Sequence, residues 1–412
     1  MSRNMKFDVP VRRRKCVLFR ARDYCSLMRP CFTMSFILGF FPYKVTSTGL
    51  VFSKIGYLCS TITIIVYTIH LVIILYQTNV SRTLKYDTVP GMLQGNFYLI
   101  LGSSVALHAY IYSYRRLLFL QQLFSVASRL PSDTFYRLSK YLHAKDIFGF
   151  IFLVGQTPNI YSNSWAQTLS KSWGIYTTVV VFVMDMLYMN CTCVIKECFG
   201  RINENLKNLE HVVVMGEPHL LRRVYHENKN PLLLMELKAI KKRHQQVSDV
   251  LYQLNETFGA QIIITSIMTF AEVTFSLYFF ILRKVGEKEV NLEKQIWYSY
   301  FITSVAYYFV KLSLMAWACE TAKNEAASVG TSIHEVVINT VDKDIKHELQ
   351  LFSLQVLHRD NTFTAKGLTM DATLLKTIVG SITTYLLILI QFMGSLKTPC
   401  ENTNSTMSNE TS

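Results

Sequence analysis

Three charged residues, Asp185, Glu272 and Lys311, stand inside long apolar runs, and near the C-terminus a row of small polar side chains runs along an apolar stretch. A charge in hydrocarbon is costly and persists where it is paired or functional, so the three are candidates for structural pairing or for ion coupling in a solute carrier. At about 100° per residue, Thr377, Ser381, Thr384, Ile388, Gln391 and Ser395 fall near one line of a helix. Such a stripe gains nothing from lipid. Two uses stay open: hydrogen bonding to a neighbouring helix, or lining a water-filled pore. In the second use Ile388, together with Phe392 beside Gln391, offers an apolar constriction that closes by dewetting.

Other chemistry finds no support. His347-Glu348 is followed by Leu351 where a zinc-protease helix needs its second histidine, and no other catalytic motif is found, so neither an enzyme activity, a metal nor a cofactor is expected. Cys191, Cys193 and Cys198 lack paired metal-ligand spacing and lie in an apolar helix, where they read as small core residues. Nine cysteines, an odd number, argue against a disulfide framework.

The elements that must position these residues are membrane helices. Of 412 residues, 50% are hydrophobic and only 17% charged, with a mean hydropathy of +0.23. That is more apolar surface than one soluble domain buries, and it is clustered in runs near the roughly 20 residues that cross a bilayer. Spans are expected at 54–77, 91–114, 146–162, 173–195, 258–282, 296–318 and 374–396. Pro42 and Lys44 interrupt 31–52, which is expected to be half-inserted or interfacial. The chain thus divides into a cytoplasmic N-terminus and interfacial segment (1–52), spans one to four (53–195), helical extensions (196–257), spans five and six (258–320), a further cytoplasmic helical region (321–373), the last span (374–396) and an outside tail (397–412). No secretory signal is expected, because basic residues precede the first apolar run and no cleavage site follows.

Net charge is +14, but its bases lie between apolar runs instead of on one soluble face, which excludes nucleic acid as partner. With the N-terminus inside, cytoplasmic segments hold 31 of the 42 Lys and Arg and outside segments 8, as the positive-inside rule requires. Asn79, Asn404 and Asn409 begin glycosylation sequons that all fall outside in this orientation. A G-protein-coupled receptor would have the opposite orientation. Phe199, Ile202, Leu206 and Leu209 repeat at three and four, as do Leu237, Ile240, His244, Val247, Leu251, Leu254 and Phe258. Two cytoplasmic helices are therefore expected to pack antiparallel, either as a local hairpin or as an assembly domain. A third amphipathic stretch, 344–358, presents Leu349, Phe352, Val356 and Leu357.

The outer halves of spans two to six carry Gln94, Gln156, Trp173, Tyr176, Glu272, Trp297, Tyr300 and Tyr307. Aromatic rings with a few polar groups suit a heteroaromatic or amphipathic ligand, although single rings also serve as interfacial anchors in membrane lipid.

Thr384-Tyr385, five apolar residues and Gln391-Phe392 match the T-Y-five-apolar-Q-F signature of insect gustatory receptors without departure. Glu348 to Gln355, Arg29-Pro30 and Leu38 to Tyr43 also resemble that family, most closely its gustatory receptor 28-like, non-sugar branch. The resemblance implies an all-α integral membrane protein with seven transmembrane helices, a cytoplasmic N-terminus and an extracellular C-terminus. It implies a tetrameric cation channel, homomeric or mixed with related receptors, gated by a small-molecule tastant, with light or warmth as further stimuli. Each last helix would line the central pore, cytoplasmic helices would form an anchor domain, and spans two to six would enclose a ligand pocket open to the outside. Gln391 and Phe392 would be gate residues and Tyr385 a support behind them. The implied location is the plasma membrane of sensory neurons.

Overall fold

The structure, a computed structural model, describes residues 18–46, 49–84, 89–155, 165–215, 231–286, 292–340 and 342–406, with side chains left aside at 165–167, 214–215, 284–286, 292–300, 389 and 392–406. In chain order the elements are α1 (Tyr24–Ile37), the hairpin β1 (Tyr43–Thr46) and β2 (Gly49–Phe52), α2 (Lys54–Asn79), α3 (Val89–Ile111), α4 (Ser113–Ala127), α5 (Ser132–Val154), α6 (Trp165–Met215), α7 (Pro231–Gly286), α8 (Leu292–Asn339), α9 (Lys343–His358), a two-residue pair β3 (Thr364–Ala365) and β4 (Leu368–Thr369), and α10 (Ala372–Thr406).

The Asp23 carboxylate starts α1 by accepting from the Ser26 amide at 2.7 Å, while the Ser26 hydroxyl caps the Asp23 amide. Fourteen residues make a helix of about 21 Å, too short to cross a bilayer. It lies along α6, where the Leu38 carbonyl accepts from the Tyr176 hydroxyl at 2.9 Å. Gly39, at φ +81°, then turns the chain into the β1–β2 hairpin. The interrupted stretch 31–52 is thus a helix end plus a hairpin.

Helix α6 is the hub. From Val180 to Ile195 every residue is buried, the pattern of a helix surrounded by other helices. Neighbours come close because they carry glycine at the crossing. A Cβ on Gly102 of α3 would sit 2.4 Å from Thr177 Cγ2, and one on Gly149 of α5 would sit 2.6 Å from the Phe182 ring. Helix α2 is the opposite case. It turns Ile55, Leu58, Ile62, Ile65, Ile69 and Val72 outward, each more than half exposed, an apolar face that only lipid or another chain covers favourably.

Among the described residues four helical segments are long and apolar enough to cross a membrane: Lys54–Asn79, Thr168–Val213, Pro231–Arg283 and Phe301–Asn339. The expected spans on α3 and α5 fall outside this set, with Gln94, Asn96 and His108 interrupting α3 and Asp133, Arg137 and Lys140 along the first half of α5. On α10 the apolar segment with described side chains, Ala372–Ile388, is shorter.

Beyond the expected spans, α6, α7 and α8 continue as one unbroken packing unit. Every residue of the two predicted seams, Phe199 to Leu209 at that spacing on α6 and Leu237 to Phe258 on α7, is at most 2% exposed. The helix that holds the sixth expected span, 296–318, runs on as α8 to Asn339, into the expected cytoplasmic helical region, and buries Ala322, Ala326, Val329, Ile333 and Val336. Asn203 of α6 ties that extension down, donating to Glu325 Oε1 at 2.7 Å and Ser328 Oγ at 2.6 Å. Helix α9 closes the unit with Ile345, Leu349 and Phe352 buried. Leu357 is 79% exposed and does not share that face, since it lies roughly 100° round the helix from Val356. His244 sits between the Phe199 and Phe352 rings, and its Nδ1 accepts from the Gln355 amide at 3.2 Å.

Candidate functional site

Two regions hold the sequence-predicted residues. The first lies where α2, α3, α6 and α7 meet. The Gln94 amide on α3 donates to the Glu272 carboxylate on α7 at 2.9 Å, and Glu272 is only 8% exposed. One turn along the same face, Tyr98 donates its hydroxyl to the Gly174 carbonyl of α6 at 2.8 Å and contacts Thr178. Beside it Trp173 packs against Tyr176, with ring centroids 5.4 Å apart. Gln94, Tyr98, Trp173, Tyr176 and Glu272 therefore form one continuous aromatic and polar cluster.

Helix α2 completes this cluster, and the sequence reading passed over it. Tyr67 and His70 bring their rings to 4.9 and 4.2 Å from Trp173, and Tyr67 shares a 2.8 Å hydrogen bond with Thr177. The signal was a tyrosine and a histidine three apart in an otherwise aliphatic run. Trp173 Nε1 and His70 Nε2 are buried without a hydrogen-bond partner, leaving polar capacity in an apolar setting that a ligand's acceptor or donor can use.

Tyr307 lies to one side of this cluster, near enough to Tyr98 for the two hydroxyls to interact electrostatically. It stacks near Phe152, Phe182 and Tyr308, next to an ion pair in which Lys311 Nζ of α8 lies 2.9 Å from Asp185 of α6. The two partners are 4% and 0% exposed. Two of the three charges noticed in the sequence thus neutralise one another, and the third is held by an amide. Gln156 and Asn409 lie outside the described residues, as do the side chains of Trp297, Tyr300, Phe392 and Asn404. Asn79 is exposed at the end of α2, exchanging amide hydrogen bonds with Asn96 at 2.8 and 3.2 Å.

The second region is α10. Asp371 starts the helix by accepting from the Thr373 and Leu374 amides at 3.0 and 3.3 Å. Leu374, Leu375, Ile378 and Ile382 dock it on the bundle. The polar stripe lies roughly 120° round the helix from that face. Thr377, Thr384, Ile388 and Gln391 are exposed and Ser381 is half-buried. The Thr377 and Thr384 hydroxyls turn back to the Thr373 and Gly380 carbonyls, each at 3.0 Å. Tyr385, 53% exposed, meets the Phe270 ring of α7 edge-on at 5.7 Å and so anchors the stripe-bearing helix from behind. No group of three or more potential metal ligands occurs among the described residues.

The profile of the 7tm chemosensory receptor family matches residues 28–393. Gustatory receptor 28b of Drosophila melanogaster is 23% identical over 263 residues, 60% of this chain and 55% of its own. Gustatory receptor 28a is 26% identical over 172 residues, 41% of this chain and 38% of its own, and the gustatory receptor for sugar taste 43a is 24% identical over 167, or 40% and 37%. The chain thus spans about half the length of the first relative and less of the others. Among solved structures, the insect olfactory receptor OR5 of Machilis hrabei superimposes with a TM-score of 0.62 in its complex with eugenol and 0.64 without it, at 12% and 11% identity. Both alignments cover 89% of this chain and 97% of the other, a shared fold from end to end.

Proposed function

Since this chain belongs to the 7tm chemosensory receptor family, and is therefore a multi-pass membrane receptor and not an enzyme, we propose that it is a gustatory receptor acting as a ligand-gated, non-selective cation channel. The observation that carries the reading is the uncovered polar stripe of α10. The helix docks by one apolar face and leaves Thr377, Thr384 and Ile388 exposed on another. Lipid solvates such a stripe poorly, whereas other copies of α10 around a water-filled axis satisfy it. Four copies give each stripe a place on the pore wall, and Ile388 and Phe392 narrow it until the closed pore dewets.

In this reading the α2–α3–α6–α7 cluster takes a small aromatic or amphipathic tastant, and Tyr385 carries its effect to the gate through Phe270. A ligand opens the pore only by binding the open arrangement more tightly. The relatives named for taste and the fold-mate solved with eugenol support a small organic ligand. Seven spans, with α3, α5 and α10 packed among the four strongly apolar segments, put 31 basic residues inside and the sequons of Asn79, Asn404 and Asn409 outside, in the plasma membrane of a sensory neuron. A carrier reading needs free intramembrane charges to bind and release ions, and the closed Asp185–Lys311 pair speaks against it.

The test is the gate. Phe392→Ala should raise resting conductance, Gln391→Ala should change conductance or ion preference, and Leu389→Ala, about 180° from the stripe, should do packing damage alone. Normal surface expression of Phe392→Ala with wild-type resting current and permeation would remove the ring from the gate.

A further inference from the structure

Where the end of α4 meets the extensions of α6 and α7 lies a shallow, open hollow of about 30 Å³. Its rim carries Arg129 after α4, Arg201 on α6 and Arg243 on α7, with Asn205 and Gln246 between them. Ile202 and Val247, both buried, contribute an apolar wall. No carboxylate is among its described lining residues. Arg129 Nη1 donates to the Gln246 amide oxygen at 3.0 Å, which fixes one guanidinium without neutralising it. Arg201 pairs at 2.9 Å with Glu204, on its own helix and largely exposed, a contact worth little in water. Arg243 is half-buried and has no ion pair among the described residues.

Three like charges brought to one hollow by segments far apart in sequence raise a positive potential there, and a recess with apolar walls focuses it. A guanidinium presents a planar fork of donors that fits phosphate oxygens two at a time. One small anion satisfies one such fork. Three forks and two amides match a ligand bearing several phosphates.

We propose that a polyphosphate of the inositol phosphate class, either a free solute or the headgroup of a phosphoinositide, lies across the mouth of this hollow, with one phosphate seated in it. Ile202 lies seven residues past the expected inner end of the fourth span and Val247 eleven before the start of the fifth, so the hollow stands about 10–16 Å below the bilayer along those helices. Such a ligand would tie the loop after α4 to the α6–α7 extensions, away from both the aromatic cluster and the pore helix. The anion site is independent of channel activity; only the leaflet that would supply a lipid depends on the orientation proposed above.

The experiment uses the full chain in nanodiscs. One arm adds inositol hexakisphosphate to discs of phosphatidylcholine alone and reads binding by thermophoresis, with inorganic phosphate as comparison. The other places a fluorescent phosphatidylinositol bisphosphate in the disc and reads its quenching by the protein. Binding in the first arm identifies a soluble source and binding in the second alone a lipid source, and either supports the site provided it depends on the arginines. Arg243→Gln should weaken binding about tenfold or more, the loss of one charge-assisted contact, and should leave melting nearly unchanged because Arg243 has no ion pair among the described residues to lose. Combining it with Arg129→Gln and Arg201→Gln should abolish binding, while Lys207→Gln, exposed on α6 outside the hollow, should have no effect. Inorganic phosphate should bind far more weakly than the hexakisphosphate. Absence of binding in both arms with monodisperse wild-type protein, or wild-type affinity in Arg243→Gln, overturns the proposal.

Discussion

Replacing Lys311 with methionine should destabilise the bundle through what it leaves behind. Asp185 is fully buried and Lys311 nearly so, with nitrogen and oxygen 2.9 Å apart. Their attraction is on the order of 5 kcal/mol at an effective dielectric near 20, similar in size to the cost of dehydrating two ions, so the intact pair contributes little net stability. Lys311→Met keeps the volume and strands the carboxylate. Its second oxygen makes no close hydrogen bond in the wild type, and Gln261 and Thr265 stand near enough to stabilise the carboxylate only in part. The expected cost is about 3–5 kcal/mol. The double variant Asp185→Leu with Lys311→Met removes both charges and should return to wild-type stability or exceed it. Size-exclusion chromatography of detergent-solubilised protein after a series of heating steps gives the melting midpoints, and surface labelling gives the exported fraction. Equal midpoints for wild type and Lys311→Met, or a double variant no better than the single one, would refute the argument that an orphaned buried charge is what costs. A current persisting in the double variant would also exclude this pair as a carrier's coupling site.

Other expectations follow from the same contacts. Burial between Phe199 and Phe352 lowers the pKa of His244, in the extension of α7, from 6.5 to about 4, with the Arg359 charge adding to the shift. Below pH 6.5 the unfolded chain takes a proton that the folded chain refuses until pH nears 4, so stability falls across that window by about 3 kcal/mol, and melting midpoints of wild type and His244→Gln should converge toward low pH. Asp371→Ala removes the cap of α10 at a cost of about 1 kcal/mol; it should loosen the start of α10 and shorten hydrogen-exchange protection of its first turn, and unchanged protection would show that the cap is dispensable. Glycosidase treatment should shift the mobility of the wild type, and the shift should diminish in Asn404→Gln with Asn409→Gln. A C-terminal tag reachable only after permeabilisation would place the tail inside and break the odd number of spans.

The membrane class, the helical seams of α6 and α7 and the polar stripe of α10 were legible in the sequence, because each is a local periodicity. Residues three or four apart must share a helix face whatever the rest of the chain does, so Phe199, Ile202 and Leu206 announce a buried seam before any partner is known. Periodicity failed where its signal was weak. Alanines give the α8 extension little hydropathy contrast, so its buried seam, unlike those of α6 and α7, does not show in the sequence, although the helix runs unbroken to Asn339. Only the tertiary structure decided which distant polar groups meet. Gln94 and Glu272 are 178 positions apart, Lys311 and Asp185 are 126 apart, and the three arginines of the hollow come from three segments. The same carboxylate inside a span reads equally well as coupling site or structural pair until its partner is in view, since the energy of a buried charge depends on what lies within a few ångströms of it and sequence carries no such distance.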